Sequence, residues 1–283
     1  MKRAGLLFLA GVALAAVTAA VAATVLERRQ DVSFRSEALG GTLHYEVYLP
    51  ADYATGDRRY PVVYFLHGLP STGTAYKTIG FVETALDKLD RQAILVVPQG
   101  ARAGEPDPEY LDQGADDGWD TAIAGELPRV VDARFRTIRS RDGRALVGVS
   151  AGGYGAMHLA LEHLDEFAVV ESWSGYFHPT DPTGTKPLDL GSEAKNSSAD
   201  VHKQAEAAAA RLKQLPTFIA FYVGRADWRF SAENEQLNQE LTRAGIPHVF
   251  RLYAGGHDQR LWQRYAPEWL SLALAHLAPA RAA

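Results

Sequence analysis

Residues 148–155 read GVSAGGYG, which sets Ser150 between glycines two positions away on each side. A serine hydroxyl is a weak nucleophile unless a base takes its proton, so its surroundings decide whether it reacts. An apolar run, RALVGV (144–149), precedes Ser150, and AGGYGAMHLALEHL (151–164) follows with helical character. Strand, sharp turn and helix is the setting that exposes a serine hydroxyl at the end of a strand. Glycines at 148 and 152 remove side chains that would collide with neighbouring backbone, and the helix amino end favours developing negative charge. The competing description is an ordinary serine in a glycine-rich bend.

A reactive serine needs a base. The chain has nine histidines, at 44, 67, 158, 163, 178, 202, 248, 257 and 276. In an open α/β sheet, sites gather beyond the carboxyl ends of the strands. His257 meets that condition, in YAGGHDQRLW after the last strand-like run and before a helix. The others fall within helices or strands or, like His67, on a turn. The alternative role for His257 is a helix-capping loop residue. An acid must then orient the imidazole. Asp227 lies four residues past Val223 in YVGRADWRF, again beyond a strand end, although it could equally cap a helix. Glu233 and Glu235 are fallback acids. Asp258 adjoins His257, and adjacent side chains usually point apart, so it is discounted.

Acyl chemistry also needs donors for an oxyanion. FLHGLPSTG (65–73) leaves an early strand and enters a glycine-containing loop, so the backbone amides of Leu69 and Ala151 are the candidate donors. One such donor stabilises the transition state by about 3 kcal/mol. His67 is expected to buttress the loop rather than move protons, with substrate contact as its alternative. The chain order Ser150, Asp227, His257 is that of the α/β-hydrolases, unlike the orders of the chymotrypsin and subtilisin groups.

The elements that must position these residues can be read from periodicity. Leu43, Tyr45, Val47 and Leu49 alternate with more polar neighbours and predict a half-buried antiparallel strand. PVVYFL (61–66), AILVV (93–97), RALVGV (144–149), FAVV (167–170), TFIAFYV (217–223) and HVFRLY (248–253) predict strands, mostly covered on both faces. Trp119, Ile123, Leu127, Val130, Val131 and Phe135 share a helical face with a kink expected at Pro128, and Trp262, Tyr265, Trp269 and Leu272 mark the last helix. The expected fold is α/β, a mostly parallel central sheet with helices on both faces. Segments 99–118, acidic, and 175–199, rich in Pro, Gly, Ser and Asp, lack periodicity and are either substrate loops or ordinary surface loops.

Composition narrows the partners. With 283 residues, 47% apolar, and a net charge of −5 without a basic stripe, the chain supports a catalytic domain over 27–283 and no nucleic-acid surface. It has no cysteine, which removes thiol nucleophiles, disulfides and thiolate metal sites. Lys2 and Arg3 precede an uncharged run from Ala4 to Leu26 containing Ala20-Val21-Ala22. Residues 1–26 therefore read as a signal peptide with an A-x-A cleavage site or as an uncleaved membrane anchor; either places the rest outside the cytoplasm. The acidic residues Glu105, Asp107, Glu109, Asp112, Asp116 and Asp117 are expected to form a solvated loop, with calcium binding as the alternative. Trp119 and Trp228 are candidate substrate contacts, although for Trp119, as for Trp262, a place in the core is favoured.

The chain resembles the "putative esterase" family of α/β-hydrolases, which includes S-formylglutathione hydrolases, feruloyl esterases and secreted mycolyltransferases. The resemblance is carried by YFLHGLPSTGTAY (64–76), GWDTAIAGELPRVVDARF (118–135), ALVGVSAGGYGAMHLAL (145–161), GRADWRFSAENEQLNQELTRAGIPH (224–248) and GGHDQRLW (255–262). It implies a triad of Ser150, Asp227 and His257, oxyanion donors at Leu69 and Ala151, and no metal or cofactor. Ala151 stands where many members have methionine, which matters little for a backbone donor. The exported address argues against a cytosolic formylglutathione role. The expected activity is hydrolysis of a small-molecule or cell-envelope ester through an acyl-enzyme. The alternatives are acyl transfer to a sugar or lipid alcohol, and a noncatalytic binding protein on the same scaffold.

Overall fold

The computed structural model describes residues 28–105, 107–181 and 186–282. The leader read in residues 1–26 lies outside these. Among the described residues no helix is long and apolar enough to cross a membrane.

Eight strands form one sheet in the order β1-β2-β4-β3-β5-β6-β7-β8. β1 (Arg29–Ser36), β2 (Gly41–Tyr48) and β4 (Ile94–Pro98) pair antiparallel in turn. From β4 onward, β3 (Val62–Leu66), β5 (Arg144–Val149), β6 (Val169–Trp173), β7 (Phe218–Gly224) and β8 (Val249–Tyr253) run parallel. The strand period of two divides the apolar residues between two cores. Val62, Tyr64 and Leu66 face α2 (Leu127–Arg134), α3 (Ala151–Glu162), α5 (Val201–Gln214) and α6 (Ser231–Ala244). Val63 and Phe65 face α1 (Gly80–Leu86) and α7 (Gln259–Ala275). A short α4 (Glu193–Ser198) lies in the 175–199 segment. Each fully buried aliphatic or aromatic side chain stabilises this arrangement by roughly 1.5–3 kcal/mol. The expected mostly parallel sheet with helices on both faces is the one observed.

Three details differ from expectation. β1 adds an edge strand whose alternation, Val32 and Phe34 among polar residues, is too short to stand out. Of the FAVV run only Val169 and Val170 belong to β6, which continues through Glu171 and Ser172, both fully buried. The kink near Pro128 takes the form of a π-helical stretch, Thr121–Glu126, that gives way to α2, with Pro128 in its first turn. Proline has no N–H to donate, and the first turn of a helix tolerates that loss.

Candidate active site

β5 ends at Val149 and α3 begins at Ala151, so Ser150 is the whole turn between them. Its backbone sits at φ 57° and ψ −120°, a conformation that costs a non-glycine residue about 1–3 kcal/mol. The surroundings enforce it. Ser150 N–H donates to the Trp173 carbonyl of β6 at 2.9 Å, and the Ser150 carbonyl accepts from Gly153 and Tyr154 at 2.8 and 3.1 Å. A Cβ at Gly148 would lie 1.9 Å from the Gly152 oxygen, and one at Gly152 would lie 2.0 Å from the Leu66 oxygen. Only glycine permits so close a return of the helix onto the strands.

The serine meets an imidazole. Ser150 Oγ lies 2.9 Å from His257 Nε2, and His257 Nδ1 lies 2.7 Å from Asp227 Oδ2. With the Nδ1 proton donated to the carboxylate, Nε2 is left as an acceptor facing the hydroxyl. Asp227 follows β7 and is 2% exposed. Its carbonyl accepts from Phe230 and Ser231, so the acid and the start of α6 are built together. His257 precedes Asp258, which caps α7 by accepting from the amides of Arg260 and Leu261. That role takes Asp258 away from the imidazole, as expected. Glu233 binds His178 and the Phe177 amide, and plays no part at His257.

The loop after β3 lies against this turn. A Cβ at Gly68 would be 2.9 Å from Ser150 Cβ, so Gly68 touches the serine itself. Among the described residues neither the Leu69 nor the Ala151 N–H donates to another protein group, which leaves both free for a ligand oxygen. His67 is buried, donates from Nδ1 to the Gly68 carbonyl at 3.0 Å, and has no partner at Nε2. Burial pushes its pKa down, favouring the neutral ring. It buttresses the loop, as expected, and its burial leaves almost no surface for the alternative of substrate contact.

The structure separates the other candidates. Trp119 is fully buried in the core, the favoured expectation, and so is not a substrate contact. Trp228 is 85% exposed, next to Asp227 but without ring contact to His257. Trp262, expected in the core, packs against it partly buried and also flanks the imidazole: its ring stands edge-on to His257 with centroids 5.1 Å apart, and its Nε1 donates to Ser174 Oγ at 3.0 Å. Phe230 packs on His257 similarly, at 5.2 Å. The two aromatic walls restrict imidazole rotation. Phe230 was not singled out by sequence; its place three residues after Asp227 was the available signal.

The acidic segment is not one solvated cluster. Glu105 pairs with Arg102, Asp112 accepts from Thr121, and Asp107 and Glu109 are buried. No group of three or more candidate metal ligands occurs among the described residues.

Comparison with known proteins places this geometry in a family. Residues 36–268 match the family model described as "Putative esterase". An esterase of Mycobacterium tuberculosis is 29% identical over 250 residues, 79% of this chain and 54% of that protein, so the chain spans about half the length of that relative. A diacylglycerol acyltransferase/mycolyltransferase of Mycobacterium leprae is 33% identical over 72 residues, 25% of this chain and 21% of that protein. The solved structure of a ferulic acid esterase superposes with a TM-score of 0.75 at 24% identity, covering 88% of this chain and 97% of that one, and this likeness establishes the α/β-hydrolase fold. With its sheet, its serine turn and a family match over most of its length, the chain belongs to the esterase family of α/β-hydrolases.

Proposed function

We propose that the protein is an exported serine hydrolase of carboxylic esters. The observation that carries this reading is the hydrogen-bonded run from Ser150 Oγ through His257 to Asp227, at 2.9 and 2.7 Å, on a turn held at positive φ. His257 Nε2 takes the Ser150 proton as Oγ attacks the ester carbonyl carbon. The carbonyl oxygen becomes an oxyanion held by the Leu69 and Ala151 amides. The oxyanion re-forms the carbonyl, the C–O bond to the alcohol breaks, and His257 returns the proton to the departing oxygen. Water then attacks the acyl-serine and gives a proton to His257; the C–Oγ bond breaks as His257 passes that proton to Ser150 Oγ, which releases the acid and restores the serine. Asp227 holds the imidazole tautomer throughout and balances the charge of the imidazolium.

The substrate is a small-molecule or cell-envelope ester, and the apolar run before Leu26 supports the extracytoplasmic address. The membrane is met only through that N-terminal segment, and the net charge of −5 gives no footing for nucleic acid. Trp228 offers an exposed ring for the body of a larger substrate, beside the strand end that carries Asp227. Trp228→Ala should then raise KM for bulky esters and leave short ones unchanged; equal KM for both classes removes this role.

The test is pre-steady-state hydrolysis of a short nitrophenyl ester. A burst of nitrophenol that scales with enzyme and vanishes in Ser150→Ala supports the acyl-enzyme. Wild-type-like turnover by Ser150→Ala overturns it. The match to a mycolyltransferase supports a second reading, in which an alcohol replaces water in the second half-reaction. Product analysis with an added disaccharide or glycerolipid separates the two, because an acylated acceptor forms only in the transferase. A noncatalytic role would leave both assays silent.

A further inference from the structure

Two residues far from the triad in sequence, Glu109 and Tyr110, adopt left-handed backbone conformations, at φ 55° and 60°. Both are fully buried. Left-handed backbone is uncommon for side chains of this size and requires local compensation. The compensation is visible. The Glu109 amide donates to Asp107 Oδ1 at 3.0 Å. The Glu109 carboxyl accepts from Tyr176 Oη at 2.7 and 2.8 Å, from the Thr180 amide at 3.0 Å and from Thr180 Oγ1 at 2.8 Å. Glu109 thus ties the 99–118 segment to the 175–199 segment from inside the protein.

The product of this arrangement is the placement of Tyr110. Its hydroxyl donates to the His67 carbonyl at 2.7 Å. Its ring packs on the nucleophile helix so closely that a Cβ at Gly155 would lie 2.4 Å from Tyr110 Cδ2. The same His67 carbonyl lies against the first turn of that helix, where a Cβ at Gly152 would be 2.6 Å away. One residue on, Gly68 touches Ser150; two residues on is the Leu69 amide. The last ladder pairing of β3 is Leu66 with Gly148, so the sheet no longer holds the chain at His67. The Tyr110 hydroxyl takes over where the sheet stops.

Resting on the acyl-transfer reading above, we propose that Tyr110 is a positioning residue: its hydroxyl, aimed by Glu109, fixes the His67 carbonyl and through it the distance between the Leu69 amide and Ser150. A donor displaced by a fraction of an ångström stabilises the oxyanion less without changing how the ground-state ester binds.

Tyr110→Phe removes one oxygen and leaves the ring in place. Loss of a whole oxyanion donor lowers kcat by about 10²–10³, so loosening one should lower it by about tenfold with KM within about twofold. Inactivation by a fluorophosphonate, whose phosphoryl oxygen occupies the same donors, should slow by the same factor. Rates are normalised by active-site titration, so partial unfolding does not enter. Glu109→Ala should reproduce the effect, and Glu109→Gln, which keeps an acceptor for Tyr176 and Thr180, should recover most of it. Wild-type kcat and inactivation rate in titrated Tyr110→Phe, with or without a lower melting temperature, would show a packing role only and overturn the proposal. If wild-type enzyme is not labelled at Ser150 at all, the acyl-transfer reading itself fails and this inference falls with it.

Discussion

The start of α6 separates two carboxylate–imidazole pairs of nearly equal geometry and opposite consequence. On one side Asp227 meets His257 at 2.7 Å; on the other, within the first turn, Glu233 meets His178 at 2.5 Å. The difference lies at the far nitrogen. His257 Nε2 faces the Ser150 hydroxyl at 2.9 Å. Glu233 instead gathers a second histidine, His202 at 3.6 Å, whose Nδ1 lies 2.6 Å from Glu240. Burial alone would raise the Glu233 carboxyl, but His178 and His202 outweigh it and hold it at about 2. The Glu233 hydrogen bond raises His178; His202 is raised by Glu233 and Glu240 despite the opposing effect of burial. That cluster is a charged clamp fastening the 175–199 segment to α6. A third set holds Asp120 2.6 Å from His163 and 3.5 Å from His158, beside a cavity of about 720 Å³; the Asp120 hydrogen bond raises His163, while His158 Nδ1 accepts from Gln204 Nε2. Among the described residues, none of these other imidazoles hydrogen-bonds a serine or threonine hydroxyl. On the proposed function, the pair at Asp227 is a proton relay because a strained turn brings the Ser150 hydroxyl to its open nitrogen.

The largest effect expected from breaking this contrast is at the serine. Ser150→Ala should lower kcat for a nitrophenyl ester by about 10⁶, measured against residual background, while circular dichroism remains unchanged. Asp227→Asn should cost about 10⁴ through the wrong imidazole tautomer, and the same amide change at Glu233 should leave kcat within about twofold. Comparable losses at both acids would erase the distinction between relay and clamp.

Glu233→Gln should appear in stability instead. The depressed Glu233 contributes stability that is present above pH 4.5 and lost as pH falls toward 2. The raised His178 and His202 contribute stability that is complete below pH 6.5 and lost as pH rises through their folded values. The stability difference between wild type and Glu233→Gln should therefore be widest between pH 4.5 and 6.5, on the order of 3 kcal/mol, and shrink on both sides. A difference independent of pH would mean that packing, not charge, holds the clamp.

The region around Ser150 was the more legible of the two. Ser150, Asp227 and His257 each lie just past a strand-like run, and topology then brings strand ends together. The flanking Phe230 and Trp262 were harder, because an aromatic on a helix is more often core, and which rings line an imidazole depends on the crossing of α6 and α7. Least legible were the buried acids. Hydropathy ends the sixth strand at Val170, yet Glu171 continues it inside the core, accepting from Trp173 Nε1 at 3.0 Å and Tyr222 Oη at 3.1 Å. Glu109 was hidden in an acidic stretch that reads as solvated. Whether a carboxyl is buried depends on donors supplied by distant segments, which no local pattern encodes.

The smallest effect expected concerns one of these acids. Burial raises Glu171 to about 8, so its contribution to stability is full at and below pH 4.5 and declines as pH rises from there to 8. Glu171→Gln should flatten, without abolishing, the fall of melting temperature across that interval, because Glu109, also raised to about 8 by burial, contributes in the same direction. An unchanged slope would mean that Glu171 is ionised in the folded protein.

The central claim is tested most directly by a crystal structure of the fluorophosphonate-treated protein. The account predicts phosphorus bonded to Ser150 Oγ, one phosphoryl oxygen within about 3 Å of both the Leu69 and Ala151 nitrogens, and His257 still bonded to Asp227. An adduct on another residue, or a phosphoryl oxygen turned to solvent away from both amides, would contradict it.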